Sequence, residues 1–172
     1  MFLLGFMGCG KTTLGRALHA ATGIDFVDLD SSIEHRTGMN VRQIFDSLGE
    51  AQFRLLEREQ LQAESNRPVI VACGGGTPCN HGNMALMNTL GTTVWLQAPV
   101  PVLVRRLRQG AAQRPLIASL NENEIETFVT QTLRMRLPSY ARARYCFDSS
   151  LLETPGQIDR SVRLFIDKFL KK

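Results

Sequence analysis

An α/β fold, with a parallel five-stranded sheet between helices on both faces in three layers, is predicted by two features of the 172-residue sequence. Short apolar runs rich in β-branched and aromatic residues alternate along the chain with longer stretches of helical spacing, the pattern of a parallel sheet covered by helices. A glycine-rich stretch, "GFMGCGKT" (5–12), follows the first apolar run and precedes the first helical one. It therefore falls at the carboxyl end of a strand, where such sheets bind ligands.

The elements follow in order. "MFLL" (1–4) opens the sheet, and "DFVDLD" (25–30), "VIVAC" (69–73), "TTVWLQ" (92–97) and "YCFD" (145–148) supply the other strands. Helical spacing covers 11–21, 31–37, 41–66 with a break at Gly49, 80–90, 99–108, 122–144 and 156–170. "NRP" (66–68) and "APVP" (98–101) punctuate the chain where helices stop or start. With no internal repeat, low-complexity segment or long linker, residues 1–172 are expected to form one domain.

Composition narrows the function classes. A hydrophobic content of 44% and a charged content of 21% are ordinary for a soluble globular protein. No run reaches the ~18 apolar residues of a membrane span. Met1 to Leu4 lead straight into the glycine stretch, so no secretory leader is expected. Cys9, Cys73, Cys79 and Cys146 are scattered, as in a protein with reduced thiols, and a cytoplasmic location is expected. The net charge of +4 comes from arginine, with 16 Arg against 4 Lys. Arginine's fork suits carboxylates and phosphates. The arginines do not gather in one basic run, even in "RMRLPSYARAR" (134–144), so no nucleic-acid partner is expected.

"GFMGCGKT" fits the phosphate-loop pattern G-x-x-x-x-G-K-[ST] in full, between a strand and an amphipathic helix. Its glycines let backbone N–H groups turn inward, the helix N-terminus adds positive potential, and Lys11 reaches the β/γ-phosphates. Thr12 offers a hydroxyl to Mg²⁺. Gly8, Cys9, Gly10, Lys11, Thr12 and Thr13 are therefore the candidate nucleotide-binding residues of a P-loop NTPase-like fold using a nucleoside triphosphate and Mg²⁺. Cys9, near a helix N-terminus and a lysine, is expected to react with alkylating agents and to be protected by ATP.

"DFVDLD" sets Asp28 and Asp30 two residues apart, on one side of a strand. One could hold Mg²⁺ through water while the other accepts a proton from a hydroxyl; alternatively, Asp30 caps the helix that follows. "VIVAC" ends in no acidic residue, so the metal-side carboxylate must come from elsewhere, and Asp28 is best placed. "CGGGTP" (73–78) permits close backbone approach to a ligand or makes a tight turn. In "GEAQFRLLERE" (49–59), Arg54 either pairs with Glu57 on a helix face or is held by it while reaching an anion. "QRPL" (113–116) lies in a polar stretch, 109–122, where an arginine on a flap could close over a γ-phosphate.

Together, "GFMGCGKTTLGR", "FVDLDSSIEHRTG", "IFDSLGEAQFRLLE", "ACGGGTP", "QRPL" and "RLPSYARA", in this order through nearly the whole chain, resemble the shikimate kinase family. The resemblance implies a nucleoside-monophosphate-kinase-like fold and transfer of the γ-phosphoryl of ATP to the 3-hydroxyl of shikimate, in chorismate and aromatic amino acid biosynthesis. It implies that Lys11 and Thr12 serve ATP and Mg²⁺, that Asp28 assists the metal through water, and that Asp30 orients the 3-hydroxyl and acts as its base. Arg54 and Arg136 match the pair that binds the substrate carboxylate, and Gly74, Gly75 and Gly76 the glycine run beside it. Arg114 matches the arginine of a lid over 109–122, and 31–66 the substrate-binding helices. Arg108 and the stretch "LLETPGQ" (151–157) around Pro155 correspond to the adenine side. Val41, Phe45, Phe53, Pro115 and Leu116 would shape the substrate pocket, with core packing the alternative for the first three. Tyr140 completes an R-x-x-x-Y pattern with Arg136 on one helix face. A monomer is implied as well. Gluconate-type and nucleoside monophosphate kinases are the nearest alternatives, and a nucleic-acid NTPase a more distant one.

Overall fold

The structure is a computed structural model that describes residues 1–110 and 117–171. Five strands form one sheet in the order β2-β3-β1-β4-β5, and every neighbouring pair is parallel. They are β1 (Phe2–Leu4), β2 (Asp25–Asp28), β3 (Val69–Ala72), β4 (Thr93–Gln97) and β5 (Tyr145–Asp148). The helices are α1 (Lys11–Thr22), α2 (Leu29–Thr37), α3 (Val41–Glu64), α4 (Asn83–Leu90), α5 (Val100–Gln109), α6 (Glu122–Tyr140) and α7 (Pro155–Phe169). β1 is the middle strand, with Leu3 in register with Ala72 on one side and Val94 on the other. Leu3, Leu4 and all of β3 are buried, as strands covered on both faces must be. From β1 the chain turns first to the β2–β3 side and later to the β4–β5 side. The loop after β1 thus lies at the switch point of the sheet.

α1 lies close on β2 because residue 15 is glycine: a Cβ there would sit 2.2 Å from the Phe26 ring. α7 packs beside α1, started by Pro155 and a capping box between Thr154 and Gln157. α3 starts from a second capping box, Asn40 with Gln43, and carries the expected break at Gly49 (φ 80, ψ 166).

Three expected boundaries differ. β2 stops at Asp28 and the chain is helical from Leu29. The Asp28 carboxylate accepts the Ser31 N–H at 3.5 Å as the helix cap, and Leu29 and Ile33, one turn apart, are buried. The two-residue strand geometry proposed for Asp28 and Asp30 therefore does not hold: one carboxylate ends the strand and the other lies in the first helical turn. Asp28, not Asp30, is the cap. The expected helix over 80–90 begins only at Asn83, because His81 (φ 46) and Gly82 (φ 68) are both left-handed; a 3₁₀ turn occupies Thr77–Cys79 instead. α6 ends at Tyr140 and not at 144. Asn88 Nδ2 donates to Arg142 O at 2.9 Å and Arg144 N donates to Thr93 Oγ1 at 2.9 Å, which holds 142–144 against α4 and the start of β4, out of the helix.

Candidate active site

The phosphate loop ends in Gly10 (φ 95), which caps α1 without any side chain. The left-handed backbone at Gly10 favours glycine, and a Cβ there would lie 2.5 Å from Leu152 Cδ1 and force that side chain to shift. Lys11 Nζ donates to Gly5 O at 2.9 Å and Phe6 O at 3.1 Å, which holds the ammonium within the loop. A cavity of about 390 Å³ lies along this end of α1. It is lined by Gly8, Gly10, Lys11, Thr12 and Thr13 together with Arg106, Gln109, Leu152 and Glu153. Arg108 and Pro155 do not line this cavity; Arg108 is exposed on α5 and Pro155 is the first residue of α7. Cys9 is 1% exposed, so the expected ready alkylation is corrected: its thiol faces the protein, 3.8 Å from Lys11 Nζ.

The glycine run after β3 meets five side chains, those of Thr77, Asp30, Glu57, Arg136 and Arg54. A Cβ at Gly74 would lie 2.9 Å from Thr77 Oγ1 and 3.1 Å from Asp30 Oδ1. One at Gly75 would lie 2.9 Å from Arg136 Nη1, and one at Gly76 3.4 Å from both terminal nitrogens of Arg54. Asp30, Arg136 and Arg54 thus converge on three consecutive residues that present backbone and no side chain. Arg54 Nη1 donates to Glu57 Oε2 at 2.9 Å and Nη2 to Glu50 Oε1 at 2.8 Å. Its guanidinium also lies 5.4 Å from the Phe53 ring centroid and 5.9 Å from that of Phe45. Both rings stack at 4.8 Å; Phe53 is buried, while Phe45 and Val41 are partly so. Glu57, 1% exposed, accepts from Arg54 and from Thr77 Oγ1. Arg136 lies 5.6 Å over Phe6, and Tyr140, one turn on, donates its buried hydroxyl to Gly75 O at 2.6 Å.

These surroundings set the protonation states. Burial, then the charges of Asp28 and Glu57, push the Asp30 carboxyl from its ordinary 3.8 up to about 6, with Lys11 opposing. Its Oδ1 is sealed from solvent and has no hydrogen-bond partner among the described residues. An unpaired acceptor with a pKa near neutrality suits a general base. Burial pulls Arg54 down, but Glu57 and Glu50 outweigh it and hold the guanidinium above its ordinary range. Burial also raises the Tyr140 phenol, against the nearby Arg136 charge.

Thr12 Oγ1 donates to Asp28 Oδ2 at 3.2 Å. Among the described residues no three His, Cys, Asp or Glu side chains gather into a cage. One hydroxyl beside one carboxylate fits Mg²⁺, which takes few protein oxygens and completes its shell with phosphates and water. Arg114, Pro115 and Leu116 lie outside the described residues. Leu152 and Glu153 fall within the stretch 151–157 expected on the adenine side, whereas sequence reasoning missed Arg106 and Gln109. The helical offset of Arg106 from the apolar Leu103 and Leu107 was the available signal.

A phosphate loop at the switch point of a parallel sheet, with a carboxylate pair and two arginines beyond it, defines a P-loop phosphotransferase. No helix among the described residues is long and apolar enough to cross a membrane. The chain belongs to the shikimate kinase family, whose model matches residues 7–167. It is 44% identical over 163 residues to a shikimate kinase of Phocaeicola vulgatus, covering 94% of this chain and 93% of that one. The structure of a shikimate kinase from Bacteroides thetaiotaomicron matches at a TM-score of 0.95 and 40% identity, over 99% of this chain and 97% of that one. A shikimate kinase from Acinetobacter baumannii in complex with shikimate matches at 0.80 and 31% identity, over 99% and 94%. The chain is accordingly an ATP-dependent kinase of this family.

Proposed function

We propose that this chain transfers the γ-phosphoryl group of ATP to the 3-hydroxyl of shikimate, giving shikimate 3-phosphate and ADP. The observation that carries the proposal is the convergence of Asp30, Arg54 and Arg136 on Gly74–Gly76, next to the phosphate loop. Shikimate has a carboxylate at one end and hydroxyls at the other. Two guanidiniums fit the first end, and an unpaired carboxylate the second. The complex of the Acinetobacter relative with shikimate supports the same assignment.

In this proposal Arg54, kept in place by Glu57 and Glu50, and Arg136, kept in place by Phe6 and Tyr140, hold the substrate carboxylate. Asp30 accepts the proton of the 3-hydroxyl as that oxygen bonds to the γ-phosphorus. The bond from that phosphorus to the β–γ bridging oxygen breaks, and ADP leaves with the electron pair. Lys11, the loop N–H groups and the α1 N-terminus neutralise the charge on the transferring group. Thr12 and Asp28 would hold Mg²⁺, which supplies further neutralisation of the phosphate oxygens when bound. Arg114 is proposed to add to this from the 109–122 lid. Little else is asked of the protein, because phosphoryl transfer depends mainly on in-line positioning.

Activity as a monomer is part of the proposal. The four free cysteines, two of them exposed, support a reducing, cytoplasmic environment. A coupled assay with ATP, Mg²⁺ and shikimate, with gluconate and AMP as parallel acceptors, tests the proposal. ADP release dependent on shikimate, with a matching 3-phosphate product, is expected. Release no higher than background with shikimate, or higher with gluconate or AMP, overturns it.

A further inference from the structure

α5 carries arginines at 105, 106 and 108, and the helix sorts them by angle. Arg106 lies three residues after Leu103 and next to Leu107, both buried, so it turns inward; Arg105 and Arg108 turn outward. The Arg106 side chain is 11% exposed, against 54% for Arg105. From that position its planar fork reaches two distant parts of the chain. Nη1 donates to Gly8 O in the phosphate loop at 3.3 Å and to Ser149 O at 3.0 Å. Nη2 donates to Ser150 O at 2.8 Å, and Nε to Glu153 Oε1 at 3.2 Å. Arg105 holds the same Glu153 oxygen from outside. Gly8, Arg106, Leu152 and Glu153 all line the cavity beside α1, so the guanidinium ties the phosphate-loop part of its lining to the 149–153 part.

We propose that Arg106 is a positioning residue for the nucleotide: it fixes the spacing between the phosphate loop and the 149–153 segment, and with it the shape of the cradle for a nucleoside di- or triphosphate. This rests on the cavity being the ATP site. The requirement is for a fork, because the acceptors lie in different directions and a lysine ammonium cannot match that planar geometry. The substrate arginines meet the glycine run at 74–76 and do not line this cavity, so the two functions separate in a kinetic measurement.

The experiment measures calorimetric affinity for ADP and for tripolyphosphate, and KM for ATP and for shikimate, in the wild type, Arg106→Lys and Arg106→Met. ADP affinity is expected to fall about tenfold or more in both variants. Tripolyphosphate affinity should fall less, since it needs only the loop, and the KM for shikimate should stay within about twofold. Arg106→Lys retains the charge and stem, so it preserves the test should Arg106→Met fail to fold. ADP affinity within about twofold of wild type in a folded Arg106→Lys overturns the proposal. So does a parallel weakening for ADP, tripolyphosphate and shikimate together with a lower melting temperature. A wild type that does not bind ADP strikes down the ATP site itself, an outcome distinct from an unchanged variant.

Discussion

Asp30 shows how far one residue's chemistry depends on its neighbours. Its carboxyl is raised to about 6 because folding removes it from water and sets it near Asp28 and Glu57. The folded protein therefore binds this proton more tightly than the unfolded chain does. Asp30 contributes stability that is fully present below 3.8 and is lost as pH rises through about 6. The displacement corresponds to up to about 3 kcal/mol. Asp30→Asn should thus be more stable than wild type at neutral pH by up to that amount, with the difference shrinking toward pH 4; urea unfolding in metal-free buffer at several pH values measures it. The same variant should lose about 10²–10⁴-fold in kcat with little change in ATP affinity, as expected when a base is removed. Greater stability with lower activity would identify the buried charge as a cost borne for catalysis. Gly75→Ala is the complementary case. Its Cβ would lie 2.9 Å from Arg136 Nη1 and displace the guanidinium. The KM for shikimate should rise about tenfold or more while the KM for ATP holds, as steady-state kinetics would report.

At the scale of elements, the interior of α3 and the end of α6 do the positioning. Gly49 (φ 80, ψ 166) separates the first part of α3 from the part that carries Glu50, Phe53, Arg54 and Glu57. That backbone region is nearly exclusive to glycine, although a Cβ there would touch nothing within 4 Å. Gly49→Ala should therefore cost about 1–3 kcal/mol through backbone strain alone, measurable by thermal or urea denaturation. α6 delivers Arg136 and, one turn later, Tyr140, whose hydroxyl bonds to Gly75 O at 2.6 Å. Tyr140→Phe leaves that carbonyl without its partner. A loss of about 1–3 kcal/mol in stability is expected, with a several-fold rise in the KM for shikimate and none in the KM for ATP. Equal changes in both constants would show that Tyr140 supports the fold and not the substrate side.

The whole molecule determines which chemistry reaches solvent. All four cysteines are free; Cys9 and Cys73 are buried, and Cys79 and Cys146 are exposed. A thiol reagent should therefore label two sites quickly in the native protein and four after unfolding, with Cys9 among the slow pair. A motif-level view of Cys9, next to a helix N-terminus and a lysine, suggests the opposite, because it includes the local charge and omits the burial.

What the sequence determined by itself was the repertoire of elements and most of the chemistry. Apolar runs of strand length between helical stretches define a parallel α/β sheet, and G-x-x-x-x-G-K-[ST] after a strand defines a phosphate site, because both depend on contacts a few residues apart. The Gly49 break and the glycine run at 74–76 were legible for the same reason. The tertiary structure alone decided what depends on distant segments meeting. It made Asp28 the cap of α2 and moved Asp30 into a helical turn, because Leu29 and Ile33 are drawn into the core. It set Arg54 and Arg136, from helices far apart in sequence, on adjacent glycines. It also selected Arg106, from three arginines close together on α5, to join Gly8 to Ser149 and Ser150. Burial and partnership are properties of the packed whole, and a local pattern carries neither.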